Sequence, residues 1–117
     1  MLTHKETHSL EDRRKQVEKW KEEHPTKIPI IIEPGEVKSP FAWGLPVSQN
    51  STMVHIARKF RSKFQLNENV KLFFLVGGED TPVTSSSTIG ELHQQYKDKD
   101  DGFLYINYYG VTSDNLF

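Results

Sequence analysis

FAWGLPVSQNSTMVHIARKFRSKFQLNENVKLFFLV, residues 41–76, is the stretch of sequence that decides the fold. Large apolar residues alternate with small ones over 41–47, which is the period of a strand with one apolar face. Over 52–64 the apolar residues recur at helical spacing instead. Residues 70–76 are a near-continuous apolar run, as in a strand buried on both faces. The stretch therefore predicts a strand, a helix and a strand, the length of a βαβ unit.

Pro46 predicts where the first of these strands lies in the sheet. A proline has no N–H group to donate to a neighbouring strand, so it is confined to sheet edges. We therefore expect residues 41–47 to form an edge strand. The backbone groups on the open side of such a strand are free to pair with a partner peptide.

The chain before residue 41 predicts a helix and a strand. Residues 9–12 have the form of a capping box, and the helix that follows should end at about residue 23, ahead of Pro25. Residues 1–8 are polar and are expected to be frayed. Residues 28–33 are rich in β-branched side chains and predict a strand that pairs antiparallel with 41–47.

The chain after residue 76 predicts a short helix and a last strand. Gly77-Gly78 indicates a turn, and a second capping box at residues 88–91 opens a helix to about Tyr96. Residues 103–109 alternate as a strand, after which we interpret Gly110 as a turn residue.

The order of these elements predicts an α+β fold of the ubiquitin-like, or β-grasp, type. Its four-stranded mixed sheet would wrap on one main helix, the one over residues 52–64. Residues 1–24 form an N-terminal helical extension in this interpretation. Residues 25–117 form the β-grasp domain, and the two make one structural unit. The fold alone does not give the function.

Composition excludes several classes of function. The chain has 117 residues and a formal net charge of −1, which suits one domain and disfavours a protein that chiefly grips nucleic acid. It has no cysteine, so disulfides, thiolate metal sites and thiol nucleophiles are excluded. No N-terminal signal and no run long enough to span a membrane is visible, so we expect a cytoplasmic protein.

No pattern of catalytic or metal-ligating residues emerges. His4 and His8 lie four residues apart, but in a polar segment without a third ligand. The acidic segment at residues 98–102 does not match a calcium-binding loop, because Phe103 and Tyr109 stand where such a loop needs glycine and glutamate. There is no nucleophile–base pair either. We therefore expect no enzyme activity, no metal and no cofactor.

Several blocks of the sequence, in the same order, resemble the autophagy ubiquitin-like modifiers of the GABARAP and microtubule-associated light-chain type. The blocks are Leu10–Arg14, Val17–Trp20, His24–Glu33, Phe60–Phe64, Val70–Val76, Thr88–Leu92 and Tyr96–Ile106. They run from about residue 9 to residue 109 and are broken mainly between 34 and 50. The chain is identified as a divergent member of this family.

The resemblance implies a non-enzymatic protein tag that is monomeric in solution. Such proteins are trimmed by a cysteine protease to a C-terminal glycine, which ubiquitin-like conjugation enzymes join to phosphatidylethanolamine. The tag then moves from the cytoplasm to the autophagosome membrane. There it recruits receptor and adaptor proteins whose aromatic-x-x-aliphatic motif adds as a strand to the sheet edge. The alternative is a ubiquitin-like peptide-binding adaptor domain that is never conjugated.

The resemblance also implies the residues that bind the motif. An aromatic pocket would use Gln16, Trp20, Pro29, Ile31 and Phe103, an aliphatic pocket would use Trp43, Leu45, Ile56 and Phe60, and a basic rim would use Lys27 and Lys63. The alternative for most of these residues is a purely structural role, since large apolar side chains are also expected in the core. Two interpretations are open for the basic residues of the first helix, Arg13, Arg14 and Lys15. They touch membrane headgroups or tubulin, or they form a solvated helix face, which is the commoner case for such residues.

The chain also departs from the family's pattern. Gly44 stands where a leucine is usual, and Trp20 where a smaller aliphatic residue is usual, so one hypothesis is that the indole fills the space that Gly44 leaves. Lys59 occupies a usually apolar position, and the loop before residue 43 lacks a run of lysines. The conjugated glycine is expected after Phe117 and is not in this chain. Gly110 lies too close to the last strand to replace it.

Overall fold

The computed structural model describes residues 3–35, 42–76, 81–82 and 86–111. The helices are α1 (His4–Thr7), α2 (Leu10–Glu23), α3 (Met53–Lys63) and α4 (Ile89–Tyr96). The strands are β1 (Lys27–Pro34), β2 (Trp43–Ser48), β3 (Lys71–Val76), β4 (Thr81–Pro82) and β5 (Leu104–Val111).

The strands form one mixed sheet in the order β2-β1-β5-β3-β4. β1 runs antiparallel to β2 and parallel to β5, and β3 runs antiparallel to β5. This is the predicted β-grasp arrangement, with β2 at the edge as Pro46 indicated. The strands on either side of α3 are not neighbours, since β1 and β5 lie between them. The two-residue β4 adds a short strand that the sequence did not predict.

Two apolar layers cover the sheet, one on each face. The main core packs α3 on one face, where Phe60 and Tyr108 are buried with ring centroids 4.6 Å apart. A smaller cluster under α2 covers the other face and contains Val17, Ile31 and Phe103. Successive residues of a strand point to opposite faces, so β1 is buried on both. The predicted division of the chain at residue 24 stays a prediction.

Three expectations from the sequence are wrong. β3 is not buried on both faces, because Phe73 is 54% exposed while Phe74 and Val76 point into the core. Gly110 is not a turn residue, because β5 continues through it and it pairs with Leu72. Residues 3–8 are not frayed, because they form the helical turn α1 and its two caps. The turn predicted at residues 77–78 lies outside the described residues.

Side-chain caps begin α1, α2 and α4, whereas α3 begins at Thr52 without a side-chain cap hydrogen bond. The Ser9 hydroxyl accepts the Asp12 N–H at 3.1 Å, and the Thr88 hydroxyl accepts the Glu91 N–H at 3.2 Å. Each cap satisfies a backbone donor that the first turn of a helix leaves without a partner. The Ser9 cap fixes the start of α2, the helix that borders the candidate site.

Candidate functional site

A cavity of about 610 Å³ opens between α2 and the edge of the sheet. It is lined by His4 and Thr7 of α1, Gln16, Lys19 and Trp20 of α2, Ile31 and Glu33 of β1, and Ala42, Trp43 and Gly44 at the start of β2. The cavity therefore lies beside β2, whose outer edge pairs with no other strand among the described residues, in the region predicted for peptide binding.

The structure brings three of the five residues predicted for the aromatic pocket to this cavity, namely Gln16, Trp20 and Ile31. Phe103 is fully buried and meets the Trp20 ring edge to face, with centroids 5.5 Å apart. Pro29 is buried in β1 opposite Pro46. Phe103 thus supports the lining residues from the smaller core cluster, whereas Pro29 lies in the paired strand. Their contact with a ligand stays a prediction.

Trp20 lies directly over Gly44. A Cβ atom on Gly44 would be 3.2 Å from Cη2 of Trp20 and 2.9 Å from Cδ1 of Ile31, closer than ordinary van der Waals contact. These distances agree with the hypothesis that the indole occupies the space a side chain at position 44 would take. The effect on the size of ligand that the cavity admits stays a prediction.

Of the residues predicted for the aliphatic pocket, Leu45, Ile56 and Phe60 lie in the main core on the other face of the sheet. Trp43 packs against that core and also lines the cavity. Ile56 and Phe60 are fully buried in the main core, and Leu45 is 9% exposed. Trp43 is half-buried, and its ring packs edge to face on Phe64, with centroids 6.3 Å apart. In this conformation Trp43 is therefore the member of the set that offers the most surface to a ligand.

The two predicted rim lysines do not lie together. Lys27 pairs in register with Ser48 at one end of the β1–β2 ladder, whereas Lys63 lies over the Trp43 ring at 5.4 Å, at the other end. Since a strand rises about 3.3 Å per residue, roughly 17 Å of β2 separates these two positions. The lysines thus flank the whole open edge. Lys59 is exposed on α3.

The N-terminal segment is part of the site, which sequence reasoning missed. The His4 N–H donates to Oε2 of Glu33 at 2.5 Å, and Nε2 of His4 lies 2.8 Å from Oε1 of Gln16. The His4 ring also meets Phe103 edge to face at 5.3 Å. The signal was present in the sequence, because Thr3 and Glu6 have capping-box spacing and form a complete box in the structure.

Burial perturbs the two titratable groups that meet in this contact. It raises the pKa of the Glu33 carboxyl, which is 8% exposed, although the hydrogen bond from the His4 N–H opposes that shift. Burial lowers the pKa of His4, and the bond to Gln16 opposes it. The polar end of the cavity thus disfavours charge on both side chains.

A buried ionic network attaches α2 to the turn before β5. Asp101, 4% exposed, accepts from the Arg13 guanidinium at 2.9 Å and from the Tyr105 hydroxyl at 2.6 Å. Burial, then the bond to Asp101, raises the pKa of Tyr105, which stays a neutral donor. Arg14 donates to the carbonyl oxygen of Asp100 at 2.8 Å. Arg13 is therefore an anchor of α2, and the expectation that it is solvated is wrong. Arg14 and Lys15 are exposed, as expected of a solvated helix face.

In the described residues, no three His, Asp or Glu side chains come together in a way that could hold a metal ion. None of the helices described here is long and apolar enough to cross a membrane.

Comparisons with known proteins match nearly the whole chain. The family model "Autophagy protein Atg8 ubiquitin like" matches residues 12–117. Protein lgg-2 of Caenorhabditis elegans is 32% identical over 108 residues, covering 89% of this chain and 82% of that protein. Human microtubule-associated protein 1 light chain 3 gamma is 31% identical over 112 residues, covering 89% and 72%. The crystal structure of Trypanosoma brucei ATG8 superposes with a TM-score of 0.79 at 30% identity, covering 96% of this chain and 97% of that one.

Proposed function

The chain belongs to the Atg8 family of ubiquitin-like autophagy proteins, and from this premise we propose that it is a non-enzymatic modifier that docks receptor peptides. The observation that carries the proposal is the open edge of β2 beside the 610 Å³ cavity. An added strand gains main-chain hydrogen bonds from such an edge, and a neighbouring pocket selects its side chains.

The two faces of the sheet at this edge suit an aromatic-x-x-aliphatic motif. Residues three apart on a strand point to opposite faces, because side chains alternate. On the α2 face an added strand meets the cavity beside Gly44 and Trp20, and on the α3 face it meets the Trp43 ring. The aromatic side chain therefore enters the cavity, and the aliphatic one packs on Trp43. Lys27 and Lys63 flank the strand and favour encounter with acidic residues.

Trp43→Ala should weaken binding of a Trp-x-x-Leu peptide by at least about tenfold, since aromatic anchors at the centre of an interface carry most of its energy. Calorimetric titration of the wild type and the variant measures the change. Phe73→Ala is the matched control, because Phe73 is an exposed aromatic residue that lies on β3, away from β2. Equal losses in the two variants, or a folded wild type that binds no peptide, contradict the proposed docking edge.

The proposal includes conjugation to phosphatidylethanolamine through a glycine that follows Phe117 in the gene product, after trimming by a cysteine protease and transfer by ubiquitin-like conjugation enzymes. The conjugated protein would then lie on the autophagosome membrane. Mass spectrometry of the full gene product from cells with autophagy induced should detect the lipid adduct on that glycine. If peptide binding is found without any adduct, the alternative holds, and the protein is an adaptor that is never conjugated.

A further inference from the structure

A second cavity, of about 300 Å³, lies next to the first, and α1 separates them. Thr3 and Lys5 line the second cavity, His4 and Thr7 line the first, and Glu33 borders both. Residues 3–8, which are α1 and its two caps, are called the N-terminal wall below. Side chains on opposite sides of this wall line the two cavities, and the wall keeps the cavities separate.

Polar contacts and ring contacts both hold the wall, on each of its two sides. Its backbone N–H at His4 bonds to Glu33, and the His4 ring bonds to Gln16. Lys5 forms an ion pair with Asp98, and its Nζ lies 4.9 Å from the centre of the Tyr105 ring. The attachment thus consists of a few hydrogen bonds, one half-exposed ion pair and aromatic contacts.

The wall has no buried residue of its own. α2, in contrast, inserts Val17 into the smaller core cluster and is tied down by Arg13. A helix of four residues is also far too short to be stable by itself. Removing the wall uncovers the rings of Phe103 and Tyr105 where His4 packs on them, but it takes no buried side chain out of either core cluster. The wall can therefore detach while the rest of the domain stays folded.

We propose that the N-terminal wall is a detachable end of the peptide groove and that mild acid releases it. When the wall is docked, it limits the size of the aromatic side chain that the groove admits. When the wall is released, the two cavities join. The size limit rests on the proposed peptide-binding function. The movement of the wall does not, because it follows from contacts within the chain.

The acid response comes from His4 and from the charges that face it. They are His8 and Lys5 on the wall, Arg13 and Lys19 on α2, Glu33 on β1, Asp101 in the turn before β5 and Tyr105 on β5. His8 stacks on His4 with ring centroids 4.2 Å apart. Burial chiefly lowers the pKa of His4; His8 and Arg13 lower it further, while Gln16 and Asp101 raise it.

The sign of the effect follows from linkage. His4 binds a proton more readily after release, so docking is fully favoured above the ordinary histidine pKa of 6.5. The contribution of His4 to docking is lost progressively as the pH falls through 6.5 toward the lowered pKa of the docked His4 side chain. Glu33 acts in the opposite sense, since burial raises its pKa above 4.5 and its protonated form favours docking. Glu33→Gln removes that opposing titration and keeps an oxygen that accepts the His4 N–H.

The first experiment needs no ligand. NMR follows the protection of the residue-4 amide from hydrogen exchange, relative to an unstructured peptide, at about pH 7.5 and about pH 5.5, on either side of the histidine range. The protection should fall at the lower pH in the wild type and in Glu33→Gln. It should stay constant in His4→Phe, which keeps a ring against Phe103 but cannot titrate.

His55→Gln is the matched control, because His55 is exposed on α3, and it should respond as the wild type does. Undiminished protection in the wild type and in Glu33→Gln at the lower pH overturns the inference. An equal pH response in His4→Phe overturns the assignment to His4.

The second experiment tests the size limit with two peptides that differ only in the aromatic residue, phenylalanine or the longer biphenylalanine. The affinity for the biphenylalanine peptide divided by that for the phenylalanine peptide should rise by about fivefold at the lower pH in the wild type. The same ratio should not change with pH in His4→Phe. A constant ratio despite a released wall refutes the size limit. If neither peptide binds at either pH, the proposed function and the size limit both fail, while the exchange data still decide whether the wall moves.

Discussion

Asp101→Ala should lower the free energy of unfolding by about 3–5 kcal/mol, the usual cost of removing one partner of a buried ion pair. The Asp101 side chain is fully buried and the Arg13 side chain is 12% exposed, so the arginine would keep its charge with little water to replace the carboxylate. The Tyr105 hydroxyl and the Phe103 N–H would lose acceptors at 2.6 and 2.8 Å as well. Urea denaturation followed by circular dichroism measures the change.

The neighbouring residue supplies the control for this prediction. Asp100 is exposed, and its contact with Arg14 is made by its backbone carbonyl, so Asp100→Ala should cost no more than about 0.5 kcal/mol. Asp101→Asn should fall between the two, because an amide oxygen can still accept the Phe103 N–H while the charge is lost. If Asp100→Ala and Asp101→Ala cost the same, the network does not hold α2 as described.

Gly44→Leu should lower the free energy of unfolding by about 1–3 kcal/mol, as overpacking of a filled site does. The new Cβ would meet Cδ1 of Ile31 at 2.9 Å and Cη2 of Trp20 at 3.2 Å. In a Trp20→Ile background the indole is gone, so the same substitution should cost at least about 0.5 kcal/mol less, which is the coupling expected of residues in contact.

A double-mutant cycle of the two positions, measured by urea denaturation, tests this coupling. Trp20→Ile alone should be destabilising, because it removes the edge-to-face contact with Phe103, and the cycle subtracts that cost. Equal costs of Gly44→Leu in both backgrounds would show that Trp20 does not occupy the space above residue 44. The double variant should also change the preference between Trp- and Phe-bearing motif peptides, because the indole no longer lies in the groove.

The elements of this fold were predictable because their signals are local. The helical spacing over residues 52–64, the capping boxes at residues 9–12 and 88–91 and the edge position of Pro46 each depend on neighbours along the chain. The α+β fold and the family followed from these elements and from the resemblance. The Thr3–Glu6 capping box carried the same kind of signal and was overlooked among polar residues.

Which side chains of each helix and strand are buried could not be predicted in the same way. The apolar run over residues 70–76 does not show that a second layer covers β1 and leaves Phe73 of β3 half exposed. Gly110 has turn-like chemistry, yet β3 extends far enough to pair with it. The predicted pocket residues likewise divided into those that line a cavity, such as Trp20, and those that support it from the core, such as Phe103.

The sequence by itself determined the three longer helices, the four longer strands, the edge strand and the family, since periodicity, caps and proline act over a few residues. Only the tertiary structure decided that Arg13 reaches Asp101, 88 residues away, and that His4 reaches Glu33, 29 residues away. The physical reason is that a polar side chain has the same local propensity whether it meets water or a distant partner. Packing of the helices on the two faces of the sheet selects between these outcomes, and so it shapes the groove.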